Sequence, residues 1–576
     1  MNKRLLLSLA FILLAALLKP SLAQEPAIFK KFNTSVFGKN VFVIDDRMNM
    51  KEVQALLDTL FNRQTGRKGE FSENRYAVFL KPGTYDLDIR MDYYMHLAGL
   101  GKTPDDVVVH GAVRSNTTMW GSVLCNFWRA VENLSVEPVK DTMVWGVSQA
   151  APLRRVHVKG NLQLFDIGYA SGGFLADSKV DGTVNSGPQQ QWLTRNSSMD
   201  KWLGSNWNMM FIGVKGAPAQ NFPEGAYTTI ENTPVVREKP YLAFEKNGFV
   251  VRVPSIIKNS TGYGWDKAAS TEKVIPVEKF YIAKPGADNA ISINKALDKG
   301  KNILFTPGRY FLSENIRVKK PGTIIMGTGL ASLVAQNGNS LLEIDDVDGV
   351  TVCGLTFDAG EKLSDVLFLA GQKGASKSHA ENPTFLFDIF FRVGGPFTGK
   401  VKECMEINSN DVVIDHTWIW RADHGNGVAW DSNRAANGLV VNGNNVTIYG
   451  LFNEHFQEYQ TLWNGENGRV YFYQSEMPYD PPAVDAWKHN STYGYASYKV
   501  ADNVRNHEAW GLGIYNVFYD APVIVDNAIE VPASLEDKIH NKIIFWLNGN
   551  KESVVKSIIN GKGGEVNVNK RKASMK

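Results

Sequence analysis

Two stretches far apart in the chain carry the same succession of signals, and this duplication restricts the possible folds more than any other feature. Residues 50–60 (MKEVQALLDTL) place Val53, Leu56, Leu57 and Leu60 on one stripe of a helix. Phe79-Leu80-Lys81-Pro82-Gly83-Thr84-Tyr85 and then Leu97-Ala98-Gly99-Leu100-Gly101 follow. Residues 291–297 again supply a helix, Leu304-Phe305-Thr306-Pro307-Gly308-Arg309-Tyr310 repeats the Pro-Gly-x-Tyr turn, and Ile325-Met326-Gly327-Thr328-Gly329 repeats the glycine pair. Each unit continues as short β-rich runs (133–136, 155–158 and 174–180; then 350–357, 412–419 and 439–446) separated by Gly, Asn and Asp turns. Strand-sized motifs at short spacing, with helical periodicity confined to the opening helices, predict an all-β chain. Its architecture should be two tandem parallel β-helices, each capped at its exposed first coil by a short helix. The expected boundaries are 34–235 for the first, 236–277 for a proline-rich connection, 278–565 for the second, and 566–576 for a frayed, flexible tail. A single continuous solenoid would leave the second helix and turn without a purpose.

With 576 residues the chain exceeds the usual size of one core, as this division requires. Its 62 basic and 59 acidic residues leave a net charge of +3 with no basic block, which argues against a nucleic-acid partner. Lys3 and Arg4 precede an apolar run over 5–18, and Ser21-Leu22-Ala23 offers a cleavage site before Gln24. That is the layout of a secretory signal peptide over 1–23, and no later run is long enough to span a membrane, so a secreted or periplasmic protein is expected. Cys125, Cys353 and Cys404 form neither a disulfide framework nor a metal cluster. HExxH and phosphate-loop motifs are lacking, and no cofactor or metal is expected.

The chemistry concentrates in residues 444–482. Aligning Val446-Thr447-Ile448 with Val470-Tyr471-Phe472 gives an offset of 24 residues, a plausible coil of a β-solenoid. In that register Glu476 faces Phe452 on the neighbouring strand, and Glu454 lies two places on, leaving the same face of the sheet. The diagonal is roughly 8 Å, a spacing that admits a water between the acid and the base of an inverting glycosidase. Glu476 is flanked by Tyr473, Met477, Pro478 and Tyr479, surroundings that raise a carboxyl pKa and suit a general acid; the bland alternative is a strand-end glutamate in water.

The run from Glu454-His455 through Tyr459-Gln460 to Gln474-Ser475-Glu476-Met477-Pro478-Tyr479 resembles the catalytic region of glycoside hydrolase family 55. Ser148-Gln149-Ala150, Ser171-Gly172-Gly173-Phe174, Gln190-Gln191, Arg195-Asn196 and Trp207-Asn208 extend the likeness through the first half. The resemblance implies two tandem right-handed β-helices and a secreted, exo-acting, inverting hydrolase that removes glucose from the non-reducing end of β-1,3-glucan. It implies Glu476 as general acid, Glu454 as a second carboxylate and candidate base, and a water held by polar side chains of the first β-helix. Gln149, Ser171 and Gln190 or Gln191 are the matching positions. A monomer is expected.

Other positions carry two readings each. Asp423-His424 is either a clamp on sugar hydroxyls or turn chemistry. Asp480 either binds sugar or raises the acid's pKa by like charge. Trp192, Trp202, Trp207, Trp430 and Trp463 either stack on sugar or fill the coils; Trp463, close to both glutamates in sequence, is the first choice for a subsite, beside Tyr473 and Tyr479. Two other classes compete with the hydrolase on this fold, a polysaccharide lyase and a non-catalytic carbohydrate-binding protein. The Glu, Gln and aromatic content of the motif-bearing coils favours a neutral sugar over the uronates of a lyase.

Overall fold

The computed structural model describes residues 25–576 except 35, 120, 247 and 267–270, so the expected signal peptide lies outside the described residues. Both opening helices form, over Met50–Gln64 and Ala290–Asp298, each with an apolar stripe turned inward and an asparagine N-cap whose side chain accepts from the first turn. The repeated turns close identically. The Tyr85 hydroxyl donates to the carbonyls of Lys81 (2.7 Å) and Ile44 (3.2 Å), and that of Tyr310 to Thr306 (2.9 Å) and Ala283 (2.8 Å). The duplication is thus physical: the same side chain ties the same two coils in each half.

Among the described residues, each half stacks its strands into a large sheet and a smaller companion. The larger sheet of the second half runs from Phe280–Ala283 through Val413–Arg421, Thr447–Glu454, Gly468–Glu476 and His507–Phe518 to Ile539–Gly549, each strand parallel to the next. One apolar core fills each coil stack, and a third, containing Trp128, Phe174, Trp418, Phe452 and Phe472, lies between the halves.

Three expectations are corrected. The strand register is offset by 22 residues, not 24: Ile448 pairs Val470, and Glu454 stands directly opposite Glu476. The offset is 22 on both sides of one level of the stack and is set by the length of the coil, but a left-handed residue at that level changes which way the side chains point. Asp388, His416, Gly450, Phe472, Gly511 and Asn541 have φ of 46°, 71°, 71°, 72°, 66° and 58°, and the pairing skips each of them. Alternation resets there, so Ile448 and Leu451, or Val470 and Tyr473, both point inward although they are three places apart. The segment over 236–277 is not a plain linker. It folds as an antiparallel sheet of Tyr241–Glu245, Gly248–Val253 and Lys273–Pro276 whose Leu242, Val251 and Ile275 enter the core between the halves. Nor is the tail frayed: Lys572–Met575 pairs antiparallel with Ile539–Gly549 and closes the last coil.

The halves are also joined by buried ions. Arg154 of the first half grips Asp388 (2.8 Å) and Asp415 (2.8 Å) of the second; Arg195 binds Asp415 (2.9 Å) and Glu238 (2.7 Å); Lys239 reaches Asp388 (3.0 Å). His416 bonds Asp388 through Nδ1 (2.8 Å) and the carbonyl of Gln149 through Nε2 (3.1 Å), so this cluster also holds a residue of the site.

Candidate active site

A cavity of about 740 Å³ opens between the two β-helices, with Glu454 and Glu476 in its wall. Both glutamates end their strands, beyond the left-handed level that turned the following residues outward. Being in register, their backbones are about 4.8 Å apart, and the diagonal expected from the shifted pairing does not occur.

Their surroundings differ. Glu454 accepts from Gln149 Nε2 (2.9 Å) on Oε1 and from Trp418 Nε1 (2.7 Å) on Oε2. Glu476 is bonded by the Tyr479 hydroxyl on Oε2 and more loosely by Gln474 Nε2 (3.3 Å) on Oε1. Burial pushes both carboxyls up, and the charge of Glu476 pushes Glu454 further. Hydrogen bonding decides where a proton on the pair rests. Both oxygens of Glu454 face N–H groups, which donate and cannot accept, whereas the Tyr479 hydroxyl can do either. This places the proton on Glu476 and leaves Glu454 the carboxylate, against the order of the two shifts, because the charge repulsion acts on either member of the pair alike whereas the N–H donors are fixed on Glu454.

The opposite wall comes from the first β-helix. Ser171 Oγ donates to Gln149 Oε1 (2.9 Å), completing a chain Ser171–Gln149–Glu454 across the cleft, and Gln149 is held at φ 23°. Gln190 also lines the cavity, but Gln191 does not. Gln191 is fully buried in its strand and bonds the carbonyl of Ser171 from behind, which removes it as a water ligand.

One end of the cleft is shut. Phe71 stacks on Trp420 (6.4 Å, 8°), Trp420 and Trp418 pack on Trp128, and His424 bonds both Asp423 (2.8 Å) and Glu70 (2.8 Å). Burial alone would discharge His424, but Asp423 and Glu70 raise its pKa to about 10. Burial likewise opposes the charge of Asp423, yet the imidazolium holds that carboxyl well below the usual range. Asp423 and His424 thus line the cavity as an ion pair, latched to the first half through Glu70.

Several expected sugar contacts lie elsewhere. Trp463 and Tyr473 point into the coil of the second β-helix, where Trp463 donates to the carbonyl of Gly465 and Tyr473 to that of Ser497. Trp192 fills the first coil stack, and so does Trp202; Trp430 packs against the second. Both Asp480 oxygens are taken by the fork of buried Arg421 (2.9 and 2.8 Å), a structural pair that leaves the carboxylate no role toward sugar or acid. Tyr479 and Trp207 do line the cavity. Trp418 and Trp420 were missed, although Thr417-Trp418-Ile419-Trp420 puts two indoles on one strand face. Tyr169, Tyr519, Phe545 and Arg571 also line it, and nothing local in the sequence marks them. Glu70, Cys125 and His424 are the one group with ligand-type atoms close together among the described residues, but the hydrogen bonds of His424 are already spent on carboxylates.

Residues 280–476 match the family model of the LAM55 pectate lyase-like domain. An exo-beta-1,3-glucanase of Streptomyces sp. (strain SirexAA-E / ActE) is 45% identical over 536 residues, 92% of this chain and 87% of that protein. The structure of sacteLam55A from Streptomyces sp. SirexAA-E superposes with a TM-score of 0.90 at 43% identity, covering 94% of this chain and 98% of that one. A glutamate-to-alanine variant of the same protein, in complex with glucose, superposes with a TM-score of 0.90 at 42% identity over the same shares of the two chains.

Proposed function

The chain belongs to glycoside hydrolase family 55, and we propose that it releases glucose from the non-reducing ends of β-1,3-glucan with inversion, acting as a single chain outside the cytoplasm. The unlike hydrogen-bond partners of Glu454 and Glu476 carry the acid and base assignment. Inversion is supported by the polar wall across the cleft, where Ser171, Gln149 and Gln190 can seat a water, and not by the spacing of the two carboxylates. Glu476 gives its proton to the glycosidic oxygen. Water set against Ser171, Gln149 and Gln190 attacks the anomeric carbon, and Glu454 takes the proton that the amides and hydroxyl cannot keep. Exo-action follows from the shut end: a chain cannot pass beyond Phe71, Trp420 and the His424 latch, so only a terminal sugar fits there. Both carboxylates and the facing wall come from one chain, which supports a monomer, and the signal peptide read in 1–23 supports secretion or a periplasmic site.

The test is incubation with linear β-1,3-glucan, following the first anomer by NMR. α-Glucose is expected. β-Glucose would instead mean double displacement, for which closely spaced carboxylates are the usual geometry, and ultraviolet-absorbing unsaturated products would mean a lyase. Glu476→Gln should lower turnover of glucan by roughly 10²–10⁴-fold, the usual worth of a general acid, with oligosaccharide binding retained; a binding protein would not respond.

A further inference from the structure

We propose that the final strand of the chain is part of the substrate site, and that Arg571, carried on its leading edge, binds the departing glucan at the third sugar beyond the scissile bond. The inference rests on the hydrolase reading above. Trp420, Glu454, Glu476, Tyr515 and Phe545 pair successively across five parallel strands, and Phe545 pairs with Lys572 of the antiparallel last strand. That row is a ruler of about 4.8 Å per strand, close to the length of one pyranose ring. The Trp420 end is shut, so the terminal sugar lies there and the rest of the chain must run the other way. From Glu476 the ruler counts Tyr515, Phe545 and the last strand as the places of the first, second and third sugars.

The open end is built for this. Phe545 stacks against Trp207 of the first β-helix (4.1 Å, 23°), and Trp207 also meets Tyr515 (5.4 Å). Arg571 lines the same cavity as the two glutamates, its guanidinium 5.8 Å from the Phe545 ring. Its Nε and Nη2 donate to the carbonyls of Trp546 and Leu547, which fixes the plane of the group. Nη1 has no hydrogen-bond partner among the described residues, and the side chain is exposed. A pre-positioned fork with free N–H groups, beside aromatic rings and without a facing carboxylate, suits the hydroxyls of a neutral sugar. The strand that carries it is itself held by pairing of Lys572 with Phe545 and Ser574 with Ile543, and by Lys542 Nζ donating to the carbonyl of Lys576.

The test is kcat/KM on β-1,3-linked glucose di-, tri-, tetra- and pentasaccharides. The parent should gain at each step up to the tetrasaccharide, which fills one place at the shut end and three beyond. Arg571→Ala should match the parent on the trisaccharide and lose about tenfold on the tetrasaccharide and longer, the worth of one hydrogen bond to a charged group. Arg571→Lys, which keeps the charge but loses the fork, should fall between. An unchanged chain-length profile in Arg571→Ala, or an equal loss on the tri- and tetrasaccharide, overturns the assignment. If the parent releases glucose from none of the oligomers, it is the hydrolase reading that has failed.

Discussion

Replacing Trp418 by Phe separates the roles of the two glutamates. The indole N–H donates to Glu454 Oε2 at 2.7 Å in a buried setting, and the ring packs on Phe127 (4.6 Å), Trp128 (5.6 Å) and Trp420 (5.1 Å). Phenylalanine keeps an aromatic ring in that stack and removes the donor. A hydrogen bond to a charged group contributes about 1.5–3 kcal/mol, and one pKa unit corresponds to about 1.4 kcal/mol, so the carboxylate form of Glu454 should become harder to reach by about one to two units. Glu454 acts ionised, as the base. Ionisation of Glu454 sets the acidic limb of the kcat/KM profile, and that limb should move to higher pH by the same one to two units. The basic limb, set by Glu476, should stay nearly where it is. The assay is glucose release from a β-1,3-linked trisaccharide across the pH range at substrate well below KM, where lost ring packing scales the whole curve without moving its limbs. If the basic limb moves instead, Glu454 carries the catalytic proton and the assignment is reversed; if neither moves, the Trp418 hydrogen bond does not reach the reacting carboxylate.

Asp415→Asn should destabilise the protein by about 3–5 kcal/mol, measured by denaturant unfolding, because buried Arg154 and Arg195 lose the charge they share. Trp463→Ala should cost about 3–5 kcal/mol of stability through a cavity in the second coil stack, while KM for glucan in the folded enzyme stays unchanged; a rise in KM would restore Trp463 to a subsite. The His424 latch gives a signed pH effect. Its folded pKa, about 10, lies above the unfolded value of about 6.5, so its contribution is complete below about pH 6.5 and is lost as pH rises through about 10. The thermal midpoint of the parent should therefore fall more steeply over that window than that of His424→Gln.

The class of fold and its two beginnings are legible in the chain alone. Helix, Pro-Gly-x-Tyr turn and glycine pair are local signals, read from neighbours in the chain, and Tyr85 and Tyr310 make equivalent bonds in the two halves because each needs only its own turn and the preceding coil. The motif around Glu454 and Glu476 was legible for the same reason: its residues are neighbours in the chain, and beyond the left-handed level Phe452 and Glu454 keep the ordinary alternation. Everything that depends on register and on the other half comes only with the folded coils. A left-handed residue at one level of the stack, Phe472 among them, resets the alternation that period-two reasoning assumes, and the 22-residue length of the coil turned an expected diagonal into a direct pairing. Inside and outside are not written in a tryptophan. Trp463 and Trp418 have the same chemistry, but one lies in the companion sheet and faces the coil interior, while the other follows left-handed His416 in the larger sheet and faces the cleft. Gln149, Phe545 and Arg571 meet the glutamates only because two stacks and a returning last strand bring distant segments to one groove, and packing at that range has no trace in local sequence.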